Sequence, residues 1–339
     1  MRTTSEYCSV GHPDRTCDYI SSYILDRYLE QDRYTRYALE VQMKDNSVRL
    51  GGEITSKAKF SKALRAQFVR EAVANIGYDA KYALKWGAEN VPCADDIQVT
   101  EVIGEQSPDI AQGVNQEGWG DQGIFWGMAV KSPSTDDMPY DHFIAKRIGQ
   151  RLYEERIGGI DIKTQVEAEG RSVKSVVVAI PCFSKDYADV VLDVQCLVRK
   201  VVGRTVKNLI VNGTGAYVRH GSIGDCGTTG RTLVVDFYGG NCRIGGGSPW
   251  TKDGTKADLA LNIYARQKAK EAVYKYGLDL CYCSISCCIG RKEIGITIID
   301  RNMNEVSSWI EARPACEIIE ELGLREPTFA DRCMNGLFG

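Results

Sequence analysis

The segment from Tyr238 to Asp258 holds the residues whose types and spacing best suit phosphate chemistry, and its sequence is YGGNCRIGGGSPWTKDGTKAD. Glycine has no side chain and loses the most backbone entropy on ordering, so a glycine-dense loop offers mainly bare N–H groups that can surround an anion. Lys252 and Lys256 can meet phosphate oxygens, while Asp253 and Asp258 can hold the divalent metal that accompanies a polyphosphate. The segment therefore predicts a triphosphate site.

His12 is the histidine best placed for chemistry. It lies in the segment Gly11–Asp14 (GHPD), just before a predicted helix. A helix N-terminus attracts anions because its first N–H groups are unpaired. We expect His12 to face an anionic ligand, the alternative being a solvent-exposed loop histidine. His142 and His220 are expected to have structural or surface roles.

Several carboxylates stand in glycine-flanked contexts, which predicts a site that binds metal ions and a cationic group. They are Asp14, Glu53, Asp121, Asp225 and Asp258. Two common nucleotide-binding motifs do not apply to this sequence. The Gly-Lys dipeptide of a Walker A loop does not occur, and the G-x-G-x-x-G match at 118–123 precedes a predicted strand instead of opening a helix. A P-loop and a dinucleotide-binding domain are therefore not expected.

The composition is that of a soluble globular protein. The chain has 339 residues, enough for two or three domains, and its net charge of -3 argues against nucleic acid as the main partner. No signal peptide and no run of about 20 apolar residues is present, so we expect a cytoplasmic protein without a membrane partner. The 13 cysteines are expected to be thiols, and Cys281, Cys283 and Cys287 to fill one face of a core strand in preference to holding a metal.

The apolar periodicity predicts alternating helices and strands. Helices are predicted at 13–29, 60–76, 140–156, 187–201, 256–276 and 312–322, and strands at 37–43, 48–55, 97–103, 124–130, 163–168, 173–180, 208–211, 232–237, 280–289 and 293–299. Because this order recurs in each third, we predict an α+β fold of three similar units with mixed or antiparallel sheets. The units are placed at 1–104, 119–222 and 223–339, with 105–118 as a lid loop or, alternatively, a linker.

Taken together, these motifs make the chain resemble the S-adenosylmethionine synthetases, or methionine adenosyltransferases, nearly from end to end. The similar segments are Gly11–Asp14, Gly51–Thr55, Gln106–Ile110, Gly120–Gly123, Asp161–Lys163, Gly224–Arg231 and the Tyr238–Asp258 loop. The resemblance implies three related α+β units around a pseudo-threefold axis, with helices on one face of each sheet. It also implies that 105–118 is a mobile active-site loop, and that homodimers or tetramers carry active sites between subunits.

The implied reaction joins L-methionine to ATP through attack of the methionine sulfur on ribose C5′. The displaced triphosphate is then hydrolysed to pyrophosphate and phosphate. A thioether sulfur carries no proton, so the attack needs no general base. The expected catalysts are cations and hydrogen-bond donors directed at the leaving oxygen.

By the resemblance, each candidate residue receives a role. The catalytic residues around the triphosphate are His12, Lys163, Arg231, Lys252 and Lys256. The ATP-binding residues are Arg15, Asp121, Asp161, Tyr217 and Arg231. The methionine-binding residues are Glu53, Gln106, Asp225 and Lys256. Asp14 and Asp258 are expected to bind two Mg²⁺ ions, and Glu40 a K⁺ ion.

Some positions depart from the family pattern. Arg15 and Thr232 stand where the family has lysine, and Ile244 where it has histidine. Arginine keeps the charge but changes its geometry, whereas Thr232 removes a cation from the expected polyphosphate site. An alternative is therefore a catalytically impaired nucleotide-binding paralogue or oligomer partner. A phosphotransferase is the third hypothesis, disfavoured by the missing Walker lysine.

Overall fold

The computed structural model of the chain describes residues 2–105 and 118–338. Its strands are β1 (Arg2–Cys8), β2 (Arg36–Lys44), β3 (Ser47–Thr55), β4 (Gln98–Gly104), β5 (Gly123–Val130), β6 (Lys163–Glu169), β7 (Ser172–Ala179), β8 (Asn208–Val211), β9 (Gly227–Thr228), β10 (Leu280–Cys287), β11 (Glu293–Asp300) and β12 (Glu305–Ala312). Its α-helices are α1 (Pro13–Leu29), α2 (Lys62–Ile76), α3 (Ala80–Trp86), α4 (Tyr140–Glu154), α5 (Tyr187–Val202), α6 (Leu233–Asp236), α7 (Ala257–Lys275), α8 (Ala315–Glu321) and α9 (Phe329–Asn335).

The strands form three four-stranded sheets. Sheet A has the order β1-β6-β7-β8, sheet B the order β4-β3-β2-β9, and sheet C the order β12-β11-β10-β5. The strands pair antiparallel except β3 with β4 and β7 with β8, which are parallel. The predicted α+β class with mixed sheets is therefore confirmed. The pseudo-threefold relation among the units stays a prediction.

Buried and exposed residues alternate along the strands, so that one face of each sheet packs against helices. In β2, Tyr37, Leu39, Val41 and Met43 are buried, while Glu40 lies on the exposed side. Helix α1 packs on β2, helix α4 packs on β1 and β6, and helix α7 packs on β5 and β10. One apolar core runs continuously under sheets B and C, and a second core lies between sheet A and helices α4 and α5.

Each sheet takes a strand from a distant part of the sequence. Cys8 in β1 lies opposite Lys163 in β6, and Met43 in β2 lies opposite Gly227 in β9. Strand β5 pairs with β10 of the C-terminal third. The limits 1–104, 119–222 and 223–339 remain predictions for the domains, and the sheets cross them. This interleaving brings the starts of β6 and β9 beside the loop that precedes α1.

The predicted strand at 232–237 is wrong. This stretch forms the short helix α6, in which the Asp236 N–H donates to the Thr232 carbonyl at 2.9 Å and the Thr232 hydroxyl donates to the Asp236 carboxylate at 2.7 Å. Only a helical turn brings residues four apart together in this way. The other predicted elements are present with small shifts at their ends, whereas β1, α3, β9, β12 and α9 were not predicted.

The described residues include the strand predicted for the three cysteines but hardly any of the predicted lid. Cys281 and Cys283 are fully buried on β10 and Cys287 is partly buried, which confirms their place in a core strand. The predicted lid at 105–118 falls almost entirely outside the described residues. Among the residues that are described, none of the helices is long and apolar enough to cross a membrane.

Candidate functional site

His12 lies at the N-terminal cap of α1, where the fixed φ of Pro13 starts the helix. Its Nδ1 accepts a hydrogen bond from the Asp14 N–H at 3.3 Å, and the residue is only 6% exposed. Gly11 allows this packing, because a Cβ there would lie 2.3 Å from the Ile160 carbonyl oxygen. The alternative of a solvent-exposed histidine is therefore wrong.

The His12 side chain is neutral and has one nitrogen left to donate. Burial, and then the charge of Lys163, lowers the pKa of His12 to about 3. Since Nδ1 accepts from a backbone N–H, the proton of the neutral ring resides on Nε2. The ring can therefore donate a hydrogen bond to a ligand without carrying a charge.

Asp14 joins the start of α1 to the segment Gly224–Arg231. Its Oδ1 accepts from the Thr228 N–H at 2.9 Å and lies 3.5 Å from Arg231 Nη1. A Cβ at Gly227 would lie 2.2 Å from the Pro13 carbonyl oxygen, so only glycine allows this approach. The exposed Arg231 guanidinium is thereby positioned next to Asp14.

Lys163 opens β6 and lies opposite the last residue of β1, one short loop away from His12. Asp161 accepts from the Gly221 N–H at 2.9 Å. Burial raises the pKa of Asp161 to about 6, an effect that Lys163 reduces and Asp225 increases. Burial, with the charge of Asp161, also raises the pKa of Tyr217. These interactions bring the residues together in what we call the His12 cluster: His12, Asp14, Asp161, Lys163, Tyr217, Asp225 and Arg231.

The lysines of the glycine-rich loop are paired with aspartates. Lys252 Nζ lies 2.5 Å from Asp258 Oδ2, and Lys256 Nζ lies 2.9 Å from Asp253 Oδ2. Asp253 is buried and also accepts from the backbone N–H groups of Tyr37 at 2.7 Å and of Thr255 at 2.8 Å. Burial opposes its ionisation, but Lys256 and these hydrogen bonds lower the pKa of Asp253.

The glycines of this loop permit close contacts with neighbouring groups. A Cβ at Gly247 would lie 2.1 Å from the carboxylate carbon of Asp258, and one at Gly245 would lie 3.0 Å from the Ile124 carbonyl oxygen. The loop ends at Thr251, whose carbonyl accepts from the Leu39 N–H at 3.0 Å. The backbone therefore passes directly over the first turn of α7, where Asp258 lies.

Glu53 and Asp121 lie near these charges. Glu53 pairs in register with Ala38, which itself forms a β-bridge with Lys252. Burial raises the pKa of Cys287 to about 12, and the charges of Asp121 and Asp258 contribute to that shift. Glu53, Asp121, Lys252, Lys256 and Asp258 form what we call the Lys252 cluster. Gln106, the remaining predicted methionine contact, lies outside the described residues.

Glu40 and Arg15 occupy different environments. The exposed carboxylate of Glu40 accepts hydrogen bonds from the hydroxyls of Thr229 and Thr251. The guanidinium of Arg15, by contrast, is buried and donates to Asp236 and to the Cys333 carbonyl, each at 2.5 Å. The ATP-binding role predicted for Arg15 stays a prediction, and its contacts within this subunit are structural.

Sequence reasoning missed the buried network around Arg15. Asp236 accepts from Arg15 and, at 2.8 Å, from the Trp250 Nε1–H, while Asp18 accepts from the Gly230 N–H at 2.9 Å. One signal could have indicated it, since Asp236 is the single charge in an apolar stretch. This network lies between the two clusters, because Gly230 adjoins Arg231 and Trp250 lies two residues before Lys252.

The two clusters are complementary in chemistry but separate within the subunit. Across residues 2–105 and 118–338, no hydrogen bond or ion pair joins a residue of one cluster to a residue of the other. The same residues contain no group of three or more His, Cys, Asp or Glu side chains that could hold a metal ion without further ligands. Neutral donors, cations and carboxylates of this kind suit a protein that binds a polyphosphate with its metal ions.

This α+β fold has clear relatives among known proteins. Residues 1–108 match the N-terminal domain of S-adenosylmethionine synthetase, and residues 219–339 match its C-terminal domain. The S-adenosylmethionine synthase of Mycobacterium sp. (strain KMS) is 32% identical, over 99% of this chain and 93% of its own length. That of Brachyspira hyodysenteriae is also 32% identical, over 99% of this chain and 92% of its own.

A solved structure agrees with these sequence relatives. An unusual S-adenosylmethionine synthetase from Campylobacter jejuni superposes with a TM-score of 0.87 at 30% identity, covering 100% of this chain and 94% of that one. The chain therefore belongs to the S-adenosylmethionine synthetase family.

Proposed function

We propose that this chain is a methionine adenosyltransferase that makes S-adenosyl-L-methionine from L-methionine and ATP. The methionine sulfur uses a lone pair to form a bond to ribose C5′, and the electron pair of the C5′–O bond leaves with the triphosphate. Hydrolysis of the triphosphate to pyrophosphate and phosphate follows. The observation that carries this proposal is the neutral, buried His12 ring beside the cations Lys163 and Arg231.

The His12 cluster suits stabilisation of a leaving group. Negative charge grows on the bridging oxygen as the C5′–O bond breaks, and a preorganised donor lowers the barrier because it needs no reorientation. We assign that role to the Nε2–H of His12, with Lys163 and Arg231 adding positive charge. One such donor contributes about 3 kcal/mol to lowering a barrier.

The Lys252 cluster suits the phosphates and their metal ions. We assign Lys252 and Lys256 to phosphate oxygens, and Asp258, together with Asp14 of the His12 cluster, to two Mg²⁺ ions. The Asp258 side chain is 29% exposed, whereas that of Asp14 is only 12% exposed and lies beside the exposed Arg231. Mg²⁺ usually takes one or two carboxylates together with substrate phosphates, which fits two separate aspartates. The bound ions would neutralise charge on the triphosphate.

The remaining residues are assigned to the substrates and to a monovalent ion. Glu40 is proposed to bind K⁺, supported by its cluster with the hydroxyls of Thr229 and Thr251. The carboxylates of Glu53 and Asp225 suit the α-ammonium group of methionine, with Gln106 and Lys256 as further contacts. Asp121, Asp161 and Tyr217 are proposed to contact the adenosine part of ATP.

We further propose that a second copy of the chain completes the site. The His12 cluster supplies the leaving-group donor and the Lys252 cluster supplies the phosphate cations, yet the described contacts do not join them within one subunit. A homodimer or a tetramer of such dimers that brings the His12 cluster of one copy to the Lys252 cluster of another would combine both functions. A cytoplasmic location is part of this proposal.

Detection of the sulfonium product by mass spectrometry, with phosphate and pyrophosphate release followed in parallel, tests the function. We expect S-adenosylmethionine together with both phosphate products when methionine, ATP and Mg²⁺ are present. Thr232, whose hydroxyl bonds to Asp18 and Asp236 where the family has a lysine, motivates the impaired-paralogue alternative, which the relatives of the chain do not favour. Nucleotide binding without a sulfonium product would support that alternative and contradict our proposal.

A further inference from the structure

A cavity lies where α1, α4 and the segment after α9 meet. It has a volume of about 200 Å³, and its wall includes Arg15, His142, Phe143, Lys146, Arg147 and Phe338. A water molecule takes about 30 Å³ in the liquid, so the cavity has room for about six waters or one compact ion. Apart from Arg15, none of the residues assigned above to ATP, methionine or metal lines it.

Lys146 brings an unpaired positive charge to this cavity. In the part of the chain that the structure describes, its ammonium has neither a hydrogen bond nor an ion pair. Burial, and then the charge of Arg15, lowers the pKa of Lys146, while the charge of Asp136 opposes this shift. A partly buried ammonium without a counter-ion is costly.

The two carboxylates in the cavity wall are already occupied. Asp136 lies 2.6 Å from Lys270 Nζ and 3.8 Å from an Arg266 nitrogen. Asp236 accepts from Arg15 at 2.5 Å and from Trp250 at 2.8 Å. Neither therefore forms an ion pair with Lys146 in the described structure, and Asp136 offsets its charge only in part.

His142 adds an unsatisfied polar group to the same wall. It lies one helical turn before Lys146, so both side chains are on one face of α4. The residue is 4% exposed and its buried Nδ1 has no hydrogen-bond partner in the described structure. Burial lowers the pKa of His142 to about 3, so its ring is neutral. Buried polar atoms are seldom left without a partner, which points to a ligand.

The C-terminal segment closes the cavity against Lys146. Gly336 has a φ of +99°, and a Cβ there would lie 2.9 Å from Lys146 Nζ. Glycine thus lets the backbone pass beside the ammonium, and it directs Leu337 and Phe338 into the wall. The result is a small site with one basic side and one apolar side.

We propose that this cavity binds a compact oxyanion, a phosphate or carboxylate group, with Lys146 as its counter-ion and His142 as a hydrogen-bond partner. Arg147, exposed at the cavity wall, adds positive charge near its opening. The site is separate from the His12 and Lys252 clusters, so the proposal does not depend on the reaction assigned to them.

The test is isothermal titration of the full chain with inorganic phosphate, and in parallel with malonate, in a buffer free of both ions. Phosphate binding would indicate a phosphate-type ligand, and tighter malonate binding a carboxylate-type ligand. Lys146→Gln should weaken binding at least tenfold. Arg151→Gln is the matched control, because it removes an exposed charge from the same helix outside the cavity. It should bind like the wild type.

Two further measurements make the outcome decisive. Phosphate can also bind the Lys252 cluster, so the titration is repeated in a Lys252→Gln background, where the effect of Lys146→Gln should persist. Because Lys146→Gln removes an unpaired charge, its unfolding temperature without phosphate should be no lower than that of the wild type. No saturable binding to the wild type, or equal weakening by Lys146→Gln and Arg151→Gln, would overturn the proposal.

Discussion

The His12 cluster and the Lys252 cluster differ in how closely their charged side chains are paired. In the His12 cluster, Lys163 and Asp225 are exposed and make no ion pair in the described structure, and Arg231 lies 3.5 Å from Asp14. In the Lys252 cluster, both lysines contact an aspartate closely, at 2.5 and 2.9 Å. A ligand can meet the first set of charges directly, whereas a polyphosphate must replace protein partners in the second. The two regions should therefore respond differently to the same substitution.

The largest expected difference comes from replacing an aspartate by asparagine in each region. Asp253 is buried and holds Lys256, so Asp253→Asn should lower the free energy of unfolding by about 3 kcal/mol, because it breaks a buried pair and places an amide N–H against backbone donors. Asp225 is exposed and bonds only its neighbour's N–H, so Asp225→Asn should change stability by less than about 0.5 kcal/mol. Urea denaturation measures both.

The same two substitutions should affect activity in the reverse order, with the larger loss in Asp225→Asn. For Asp225→Asn we expect a raised KM for methionine, because the carboxylate that we propose to bind the α-ammonium group is lost. Asp253→Asn should keep most of its activity per folded molecule at low temperature. Equal losses of stability in the two variants would contradict the comparison.

His12→Asn tests the donor in the first cluster. Asparagine is also a good helix cap, so the start of α1 should remain folded and stability should change by less than about 1 kcal/mol. The loss of the Nε2–H should slow sulfonium formation by about 100-fold, equivalent to about 3 kcal/mol. Single-turnover rapid quench measures this step directly. An unchanged rate would remove His12 from the mechanism while leaving the reaction class intact.

The sequence predicts those parts of the fold and site that depend on local signals. Pro13 starts α1, and Gly77, with a φ of +112°, ends α2, both as expected from their backbone preferences. Such features require only one residue and its neighbours.

Features that depend on distant partners could not be predicted. The run from Thr232 to Val235 favours a strand by its β-branched residues, but Asp236 needs helical geometry to meet Thr232, Arg15 and Trp250. Strand β1 was missed because its short, polar sequence becomes a strand only by pairing with β6, more than 150 positions away. The burial of Arg15 has the same origin, so its paired state could not be read from the sequence, and the family resemblance gave it an ATP-binding role.

The next largest difference between the two regions is expected in the pH dependence of stability. The pKa of His12 is about 3 in the folded chain, below its usual value, so the unfolded chain binds this proton first and the stability contribution is lost as pH falls below about 6.5. Asp161 acts in the opposite sense, since its pKa near 6 gives stability that is lost as pH rises through 6. Asp253, with a lowered pKa, matters only below about pH 4.

We therefore expect the wild type to lose stability relative to His12→Asn by about 1 kcal/mol per pH unit between pH 6.5 and 4.5. The curve of Asp253→Asn should run parallel to the wild type over this range. Urea midpoints at half-unit pH steps provide the measurement. If His12→Asn and the wild type gave parallel curves, the neutral state of His12 would be wrong.

The smallest effect on stability and rate is expected in the network around Asp236, which lies between the two clusters. Trp250→Phe removes the hydrogen bond to Asp236 but leaves Arg15 and Thr232 as partners of that carboxylate, so stability should fall by about 1 kcal/mol. Trp126→Phe is the matched control, because the Trp126 ring is partly exposed and contacts Arg243 through its face; its stability should change by less than about 0.5 kcal/mol. The rate should fall less than about fivefold in both variants, since neither ring is assigned to a substrate. A much larger loss of rate in Trp250→Phe, without a matching loss of stability, would mean that the network around Asp236 positions Lys252 for catalysis, and the two clusters would then act as one site.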